Sequence, residues 1–244
     1  YSDSGRREPA QYVFKMLLEN NPTAPKAFDY QYQIVSNFQS SHDQRTYRNE
    51  LYTWIDQYGP GSPWYEANKG NSKLVEDSYT LRESSLRNYA LLLHKNAQNS
   101  NKKAEMTLAA QAYQLYLTKF ADSPRLTEMR FYYGELLYAI GDYKQAGQQY
   151  VTVYEADPKG KFFDQAVLNS VLALEKSLKT DEEIKKLVGD KLDPVPFGEA
   201  ESAFVGAAEK YVSVVPRGEK SVDIKFKVGR LHYAYNHFDE ALKA

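Results

Sequence analysis

The sequence predicts an all-α protein built from antiparallel helix pairs, and three observations carry that reading. Apolar residues recur at spacings of three and four along most of the chain, the period of a helix with one buried face. The run FYYGELLYAIGDYKQAGQQYVTVYEADP (131–158) sets two such stripes on either side of Gly141-Asp142, a glycine stop followed by a fresh start. A signature also repeats along the chain: a small residue, an aromatic four later and a proline eight after that. It occurs as Ala10-Phe14-Pro22, Ala112-Tyr116-Pro124 and Ala146-Tyr150-Pro158, with weaker copies at Arg48-Tyr52-Pro60 and Ala207-Tyr211-Glu219.

Within 131–158 the expected helices are 131–140 and 143–156. Arg130, Tyr133, Gly134 and Leu137 share one face of the first. A glycine inside a helix costs about 1 kcal/mol relative to alanine. Gly134 therefore predicts a crossing where a neighbouring helix comes too close for a side chain. Ala146, twelve residues on, supplies the small contact of the second helix, with Tyr150 and Val153 beside it and Pro158 as the stop. Gly229 and Ala241 repeat the spacing of twelve, with Phe238 where Tyr143 stands.

The remaining elements follow in order. Residues 1–22 read as a second helix without its first, or as a capping helix. Residues 25–60 form a pair with extra residues in the turn near 40–44, since Pro22 and Pro60 stand 38 apart. Pro60 and Pro124 stand 64 apart, and the surplus makes 63–124 an expanded pair. It opens with a short helix at Pro63, breaks at Gly70-Asn71-Ser72, and continues as a helix of about 25 residues from Ser72 to Ala97. Residues 125–158 are the best-matched pair. Residues 159–219 form a pair, helices at about 160–179 and 199–214, with an insertion at 180–198. Its Pro194-Val195-Pro196 must leave helix, while DEEIKKLV (181–188) forms two turns. Residues 220–244 are a truncated pair, so 1–244 is expected to be one array, a slice of a longer one at its C-terminal end.

Composition bounds the function. The 244 residues are 42% apolar and 26% charged, a foldable chain, and the net charge of -1 gives no electrostatic case for nucleic acid or an anionic membrane. No apolar run is long enough to span a bilayer, and YSDSGRREP (1–9) carries neither an apolar signal region nor a cleavage site. The absence of cysteine excludes disulfides, thiolate metal sites and a cysteine nucleophile, and suits an oxidising compartment. Tyrosine is the outlier at 21, against 11 Phe and 2 Trp; it serves packing and binding surfaces alike.

The spacing of 34 from Pro124 to Pro158, with small residues at the crossings, resembles the tetratricopeptide repeat family. The match is strongest over 127–160 and good from Val222 onward. The resemblance implies a right-handed superhelical solenoid whose first helices line a concave binding face. The inward positions it carries over are Phe131, Glu135 and Tyr138, then Phe162, Asn169 and Leu172, then Phe226, Arg230 and Tyr233. The alternative is that these aromatics pack between neighbours. Some family members clamp a C-terminal carboxylate through Lys, Asn and Arg; the corresponding Phe131, Glu135, Ala166, Asp223 and Lys227 largely lack those donors. The segment 109–158, with its Phe120-Ala121-Asp122-Ser123-Pro124 loop, is also similar in style to repeats of bacterial envelope proteins. These include outer-membrane assembly lipoproteins of the BamD type, Tol-Pal-associated proteins and gliding-motility complexes.

No motif for catalysis, phosphate or metal binding is found. The histidines at 42, 94, 232 and 237 are scattered, and the last two, five apart, are poorly spaced for one metal on a helix. His232 is expected in the core. The acidic run Asp181-Glu182-Glu183 suits a helix N-terminus. The chain is thus expected to be a non-enzymatic scaffold without cofactor or metal. Its partner would be an extended or helical protein segment, in the periplasm or an outer-membrane-associated complex, with the cytoplasm as the alternative. Two rival readings are the repeat region of a larger enzyme and a peptidoglycan- or glycan-binding module using Trp54, Trp64 and Tyr65.

Overall fold

A computed structural model describes residues 7–39 and 43–244. Helix accounts for 76% of the described residues, and no strand occurs among them. The chain divides into two compact units, 1–89 and 90–244.

The first unit holds α1 (Arg7–Asn20), α2 (Ala27–Gln39), α3 (Gln44–Gln57), α4 (Pro63–Asn68) and the start of α5 (Ser72–Ser100). Local signals set these starts. The Asp43 carboxylate accepts the Thr46 amide at 3.0 Å to open α3. Ser62 accepts the Tyr65 amide at 3.1 Å ahead of Pro63, whose missing N–H costs nothing in a first turn. Asn71 accepts the Leu74 amide at 3.2 Å to open α5. α5 is longer than expected, 29 residues, running past Ala97 to Ser100 before Asn101 turns left-handed at φ 53°. The longer turn expected near 40–44 falls largely outside the described residues, as does His42.

The core of this unit is aromatic. Phe28 stacks on Trp54 at 5.2 Å and meets Tyr58 and Trp64 at 5.6 Å. The polar ends are satisfied by main chain: Trp54 donates to the Phe28 carbonyl, Tyr58 to that of Ala27 and Trp64 to that of Ala24. Arg82, 3% exposed, donates from Nη1 to the Ile55 carbonyl at 3.2 Å, placing a cation at the carbonyl end of α3.

The second unit holds the rest of α5, then α6 (Lys103–Lys119), α7 (Leu126–Ile140), α8 (Tyr143–Ala156), α9 (Phe163–Lys176), α10 (Asp181–Val188), α11 (Glu199–Val214), α12 (Ser221–Ala234) and α13 (Phe238–Lys243). α6 packs on α7, α7 on α8 and α8 on α9; α11 then packs on α9, α12 on α11 and α13 on α12. α10 is inserted into this series and lies against α12. α8 and α11 begin and end where the pattern places them. α7 starts five residues earlier than expected, at Leu126, because the turn after Pro124 leads directly into helix. α9 is shorter than expected at both ends. Gly160 closes a turn on the Asp157 carbonyl before it, and Thr180 opens α10 after it through a capping box with Glu183. The segment 189–198 around the two prolines leaves helix.

Small residues mark the crossings. Gly134 of α7 faces the Tyr150 ring of α8, and Gly147 of α8 faces Leu174 of α9; a Cβ at Gly147 would stand 2.5 Å from Leu174 Cγ. Tyr116 shares a 2.9 Å hydrogen bond with Ser123, and Ser123 Oγ accepts the Arg125 amide at 3.0 Å. The Ser-Pro loop thereby ties the end of α6 to the start of α7. Glu201 at the start of α11 is fully buried; it accepts Lys179 at 2.7 Å and Tyr235 at 2.8 Å, joining three segments. Burial works to raise its carboxyl, but Lys179, a backbone amide and the Tyr235 hydroxyl together outweigh it and hold the group below the usual range.

Ten tyrosines are buried among the described residues: 47, 58, 89, 113, 116, 133, 150, 154, 211 and 235. Half of the tyrosines whose location is described are therefore committed to packing.

Candidate functional site

The residues expected to bind lie on α7, α9 and α12 of the second unit, and the α7–α8 and α12–α13 turns position them. Gly141 is left-handed at φ 91°; its amide donates to the Tyr138 carbonyl at 3.1 Å, and the Asp142 amide to that of Leu137 at 3.0 Å. The chain repeats this motif 95 residues on. Asn236 stands at φ 62°, its amide donates to Tyr233 at 3.1 Å, and the His237 amide donates to His232 at 2.9 Å. Asn takes the glycine's place because, among residues with a Cβ, it tolerates this conformation best. The same offset pairs Phe131 with Phe226, Glu135 with Arg230 and Tyr138 with Tyr233. It also repeats a ring contact: Tyr138 meets Tyr143 edge-on at 5.1 Å, and Tyr233 meets Phe238 at 5.6 Å.

The face on α7 is covered by α9. Phe131 is 3% exposed, stacked on Phe162 at 4.4 Å and against Tyr150 at 5.7 Å. Its ring is committed to packing and offers no surface to a partner, a correction to its expected role. Glu135 is half-buried and accepts two donors, Tyr150 Oη at 2.6 Å and Asn169 Nδ2 at 2.9 Å. Burial first, and then this carboxylate, push the Tyr150 hydroxyl far above its ordinary value. Tyr138 is half-buried, with the Lys176 ammonium 4.7 Å from its ring centre and 4.8 Å from that of Tyr143. Leu172 is half-buried.

The face on α12 is open. Phe226 is 69% exposed, Tyr233 66% and Leu242 88%, with Phe238 exposed beside them. Arg230 is exposed and reaches Asp181 at 3.2 Å. Lys225 also lines this apolar groove, and no carboxylate side chain does. Lys227, one of the clamp positions, is held by Glu175 at 2.9 Å and Asp223 at 3.0 Å, which raise its affinity for its proton.

One cluster was hidden from spacing arguments. His232 and His237 are five apart, but helix ends at Ala234 and the left-handed Asn236 reverses the chain, so their Nδ1 atoms stand 3.3 Å apart. His237 Nε2 lies 2.7 Å from the Val195 carbonyl. That oxygen only accepts, so neutral His237 carries its hydrogen on Nε2 and receives the Nδ1–H of His232. Phe197 packs on His232, Tyr235 and His237 at 4.6–5.0 Å. The Asn236 amide group donates to the Lys191 carbonyl at 2.7 Å. The insertion segment 191–197 is thus strapped over the α12–α13 turn. The one sequence sign of this turn was the Gly229–Ala241 spacing, which places Asn236 in the glycine position.

Among the described residues no group of three or more His, Asp or Glu is placed to hold a metal, and no helix is long and apolar enough to cross a membrane. Trp54 and Trp64, the platforms considered for a sugar, are 0% and 2% exposed in the core of the first unit; Tyr65 is half-buried. No protein-family model matches the chain, and no curated protein matches it.

Proposed function

We propose that this chain is a protein-binding scaffold of the tetratricopeptide type, its helix pairs stacked in a right-handed superhelix. In this reading it works without catalysis inside a multiprotein assembly of a bacterial envelope, in the periplasm or at the outer membrane. The observation that carries the reading is the recurrence of one helix–turn–helix geometry. The left-handed stop, the edge-on aromatic pair and the small residues at the crossing all recur 95 residues apart, on α7–α8 and α12–α13. Repetition of one unit with sequential packing is how repeat arrays build an extended binding surface. The envelope placement rests on the style of 109–158, where Ser123 anchors Tyr116 in the Ser-Pro loop.

The binding surface in this reading is the α12 face, where Phe226, Arg230 and Tyr233 are exposed together. Aromatic and Arg side chains concentrate interface energy, and a solvent-facing aromatic groove suits a helical or extended protein segment. The near-neutral charge gives no support to a nucleic-acid partner. The test is capture of partners from the native organism with the intact protein, followed by calorimetry with the purified partner. Saturable binding weakened by Phe226→Ala and Tyr233→Ala is expected. A chain that binds no purified protein saturably overturns the proposal.

A further inference from the structure

We infer that His232 and His237 hold a zinc ion between their Nδ1 atoms, with Glu240 as the third ligand and water as the fourth. The ion locks the strap at 191–197 onto the α12–α13 turn. This goes beyond the scaffold reading and depends on no partner.

Distance carries the inference. Two imidazole nitrogens on one tetrahedral zinc, at its usual bond length, stand about 3.3–3.4 Å apart. An octahedral ion such as magnesium would draw its ligands to about 2.9 Å, and it prefers oxygen. The two Nδ1 atoms here stand 3.3 Å apart, long for a hydrogen bond and right for a tetrahedral chelate. The separation of five in sequence, poor for one metal on a continuous helix, becomes suitable because Asn236 turns the chain back between the two rings.

The surroundings prepare both rings. A histidine that binds metal through one nitrogen usually gives its other N–H to a carboxylate or a main-chain carbonyl, which fixes ring and tautomer. His237 has that arrangement: Nε2 meets the Val195 carbonyl at 2.7 Å, so its Nδ1 lone pair faces His232. Phe197 packs on both imidazoles, at 4.9 Å and 4.6 Å, and limits their movement. When zinc enters, the hydrogen on His232 Nδ1 passes to its Nε2, so both rings stay neutral and both Nδ1 atoms donate.

The side chains as they stand bring only the two imidazoles together. Glu240 is exposed in the first turn of α13, three residues after the N-cap His237, a spacing that puts it beside that residue. It lines one cavity of about 540 Å³ with His232, Glu209, Lys225 and Lys243, which leaves room for its carboxylate to swing and for a water. Because His237 also holds Val195, an ion on this pair ties the strap to the end of α12 and the start of α13 together.

The test is titration of zinc chloride into the whole chain, freed of metal, by calorimetry. One ion per chain is expected. His232→Ala and His237→Ala should each weaken binding at least about tenfold, the least that losing even an outer-shell partner costs. Glu240→Gln should weaken it less, and His42→Ala should leave it unchanged. Long-range proton–nitrogen spectra of the unaltered chain decide the matter even if a variant fails to fold. Zinc should leave both rings protonated at Nε2 and shift both Nδ1 resonances, and the Val195 amide should exchange more slowly. Absence of saturable binding overturns the inference, as does binding that His232→Ala and His237→Ala leave intact or that leaves both Nδ1 resonances unmoved.

Discussion

Gly134 lies so close to Tyr150 that a Cβ on the glycine would stand 2.8 Å from the ring's Cε1 and 3.1 Å from Cδ1 and Cζ. The ring cannot retreat freely, because its hydroxyl is tethered to Glu135 at 2.6 Å and its face lies against Phe131. Gly134→Leu is therefore expected to destabilise the second unit by about 1–3 kcal/mol through overpacking, although leucine is the better helix former. Chemical denaturation checks it. A midpoint unchanged or raised means the crossing is slack.

Tyr150, Tyr138 and Tyr233 are expected to separate into packing and surface roles. Tyr150→Ala removes a buried ring and should cost about 3–5 kcal/mol. Tyr150→Phe keeps the ring and leaves Asn169 on Glu135, so it should cost only about 1 kcal/mol. Tyr233, 66% exposed, should change stability little when cut to alanine, yet weaken partner binding by about 1–2 kcal/mol. Tyr138→Ala should fall between, since α9 half covers that ring. Melts of the four variants beside partner titrations decide the order. An early-melting Tyr233→Ala whose folded fraction binds normally removes it from the site.

Arg82→Met should cost the first unit about 1–3 kcal/mol, because it leaves the buried Ile55 carbonyl without that donor. Burial pulls this guanidinium down to about 10, still leaving it charged at neutral pH. Both tryptophans lie in this unit, so tryptophan fluorescence during denaturation reads the loss directly. An unchanged midpoint means other groups satisfy the end of α3.

Acid should loosen the strap at 191–197. Burial first and His237 second hold His232 below its ordinary value, while Glu240 and Glu209 act weakly the other way. The unfolded chain then binds the proton at a higher pH than the folded chain does. The stabilisation is complete above the ordinary histidine value of 6.5 and is lost as pH falls from there through the folded value. The Val195 amide, which donates to the Tyr235 carbonyl at 2.9 Å, reports the strap locally. Its hydrogen-exchange protection, corrected for the intrinsic rate, should fall between about pH 7 and 5. His232→Gln should flatten that dependence. Protection constant across the range refutes the coupling.

Some element boundaries were legible in the sequence because short-range chemistry sets them, while the start of α7 and both ends of α9 were not. Ser62-Pro63, Asn71, Gly141 and Pro194-Val195-Pro196 each act through their own backbone torsions or through an amide three residues away. They therefore stop or start a helix whatever lies around it. Gly134 was legible for a related reason: a costly residue in a helix interior implies a neighbour that excludes a side chain, and Tyr150 is that neighbour.

What the tertiary structure alone decided is which faces are covered. Phe131 and Phe226 are the same residue in the same register, yet one is buried under Phe162 and the other is 69% exposed. Trp54 and Trp64 read equally well as sugar platforms until Phe28 and the carbonyls around it claim them. His232 and His237 meet only because Asn236 turns the chain back between them. Helical periodicity says which residues share a face, a matter of local geometry. Which faces meet depends on contacts between segments distant along the chain, and in these helix pairs those contacts decide whether an aromatic is buried or exposed.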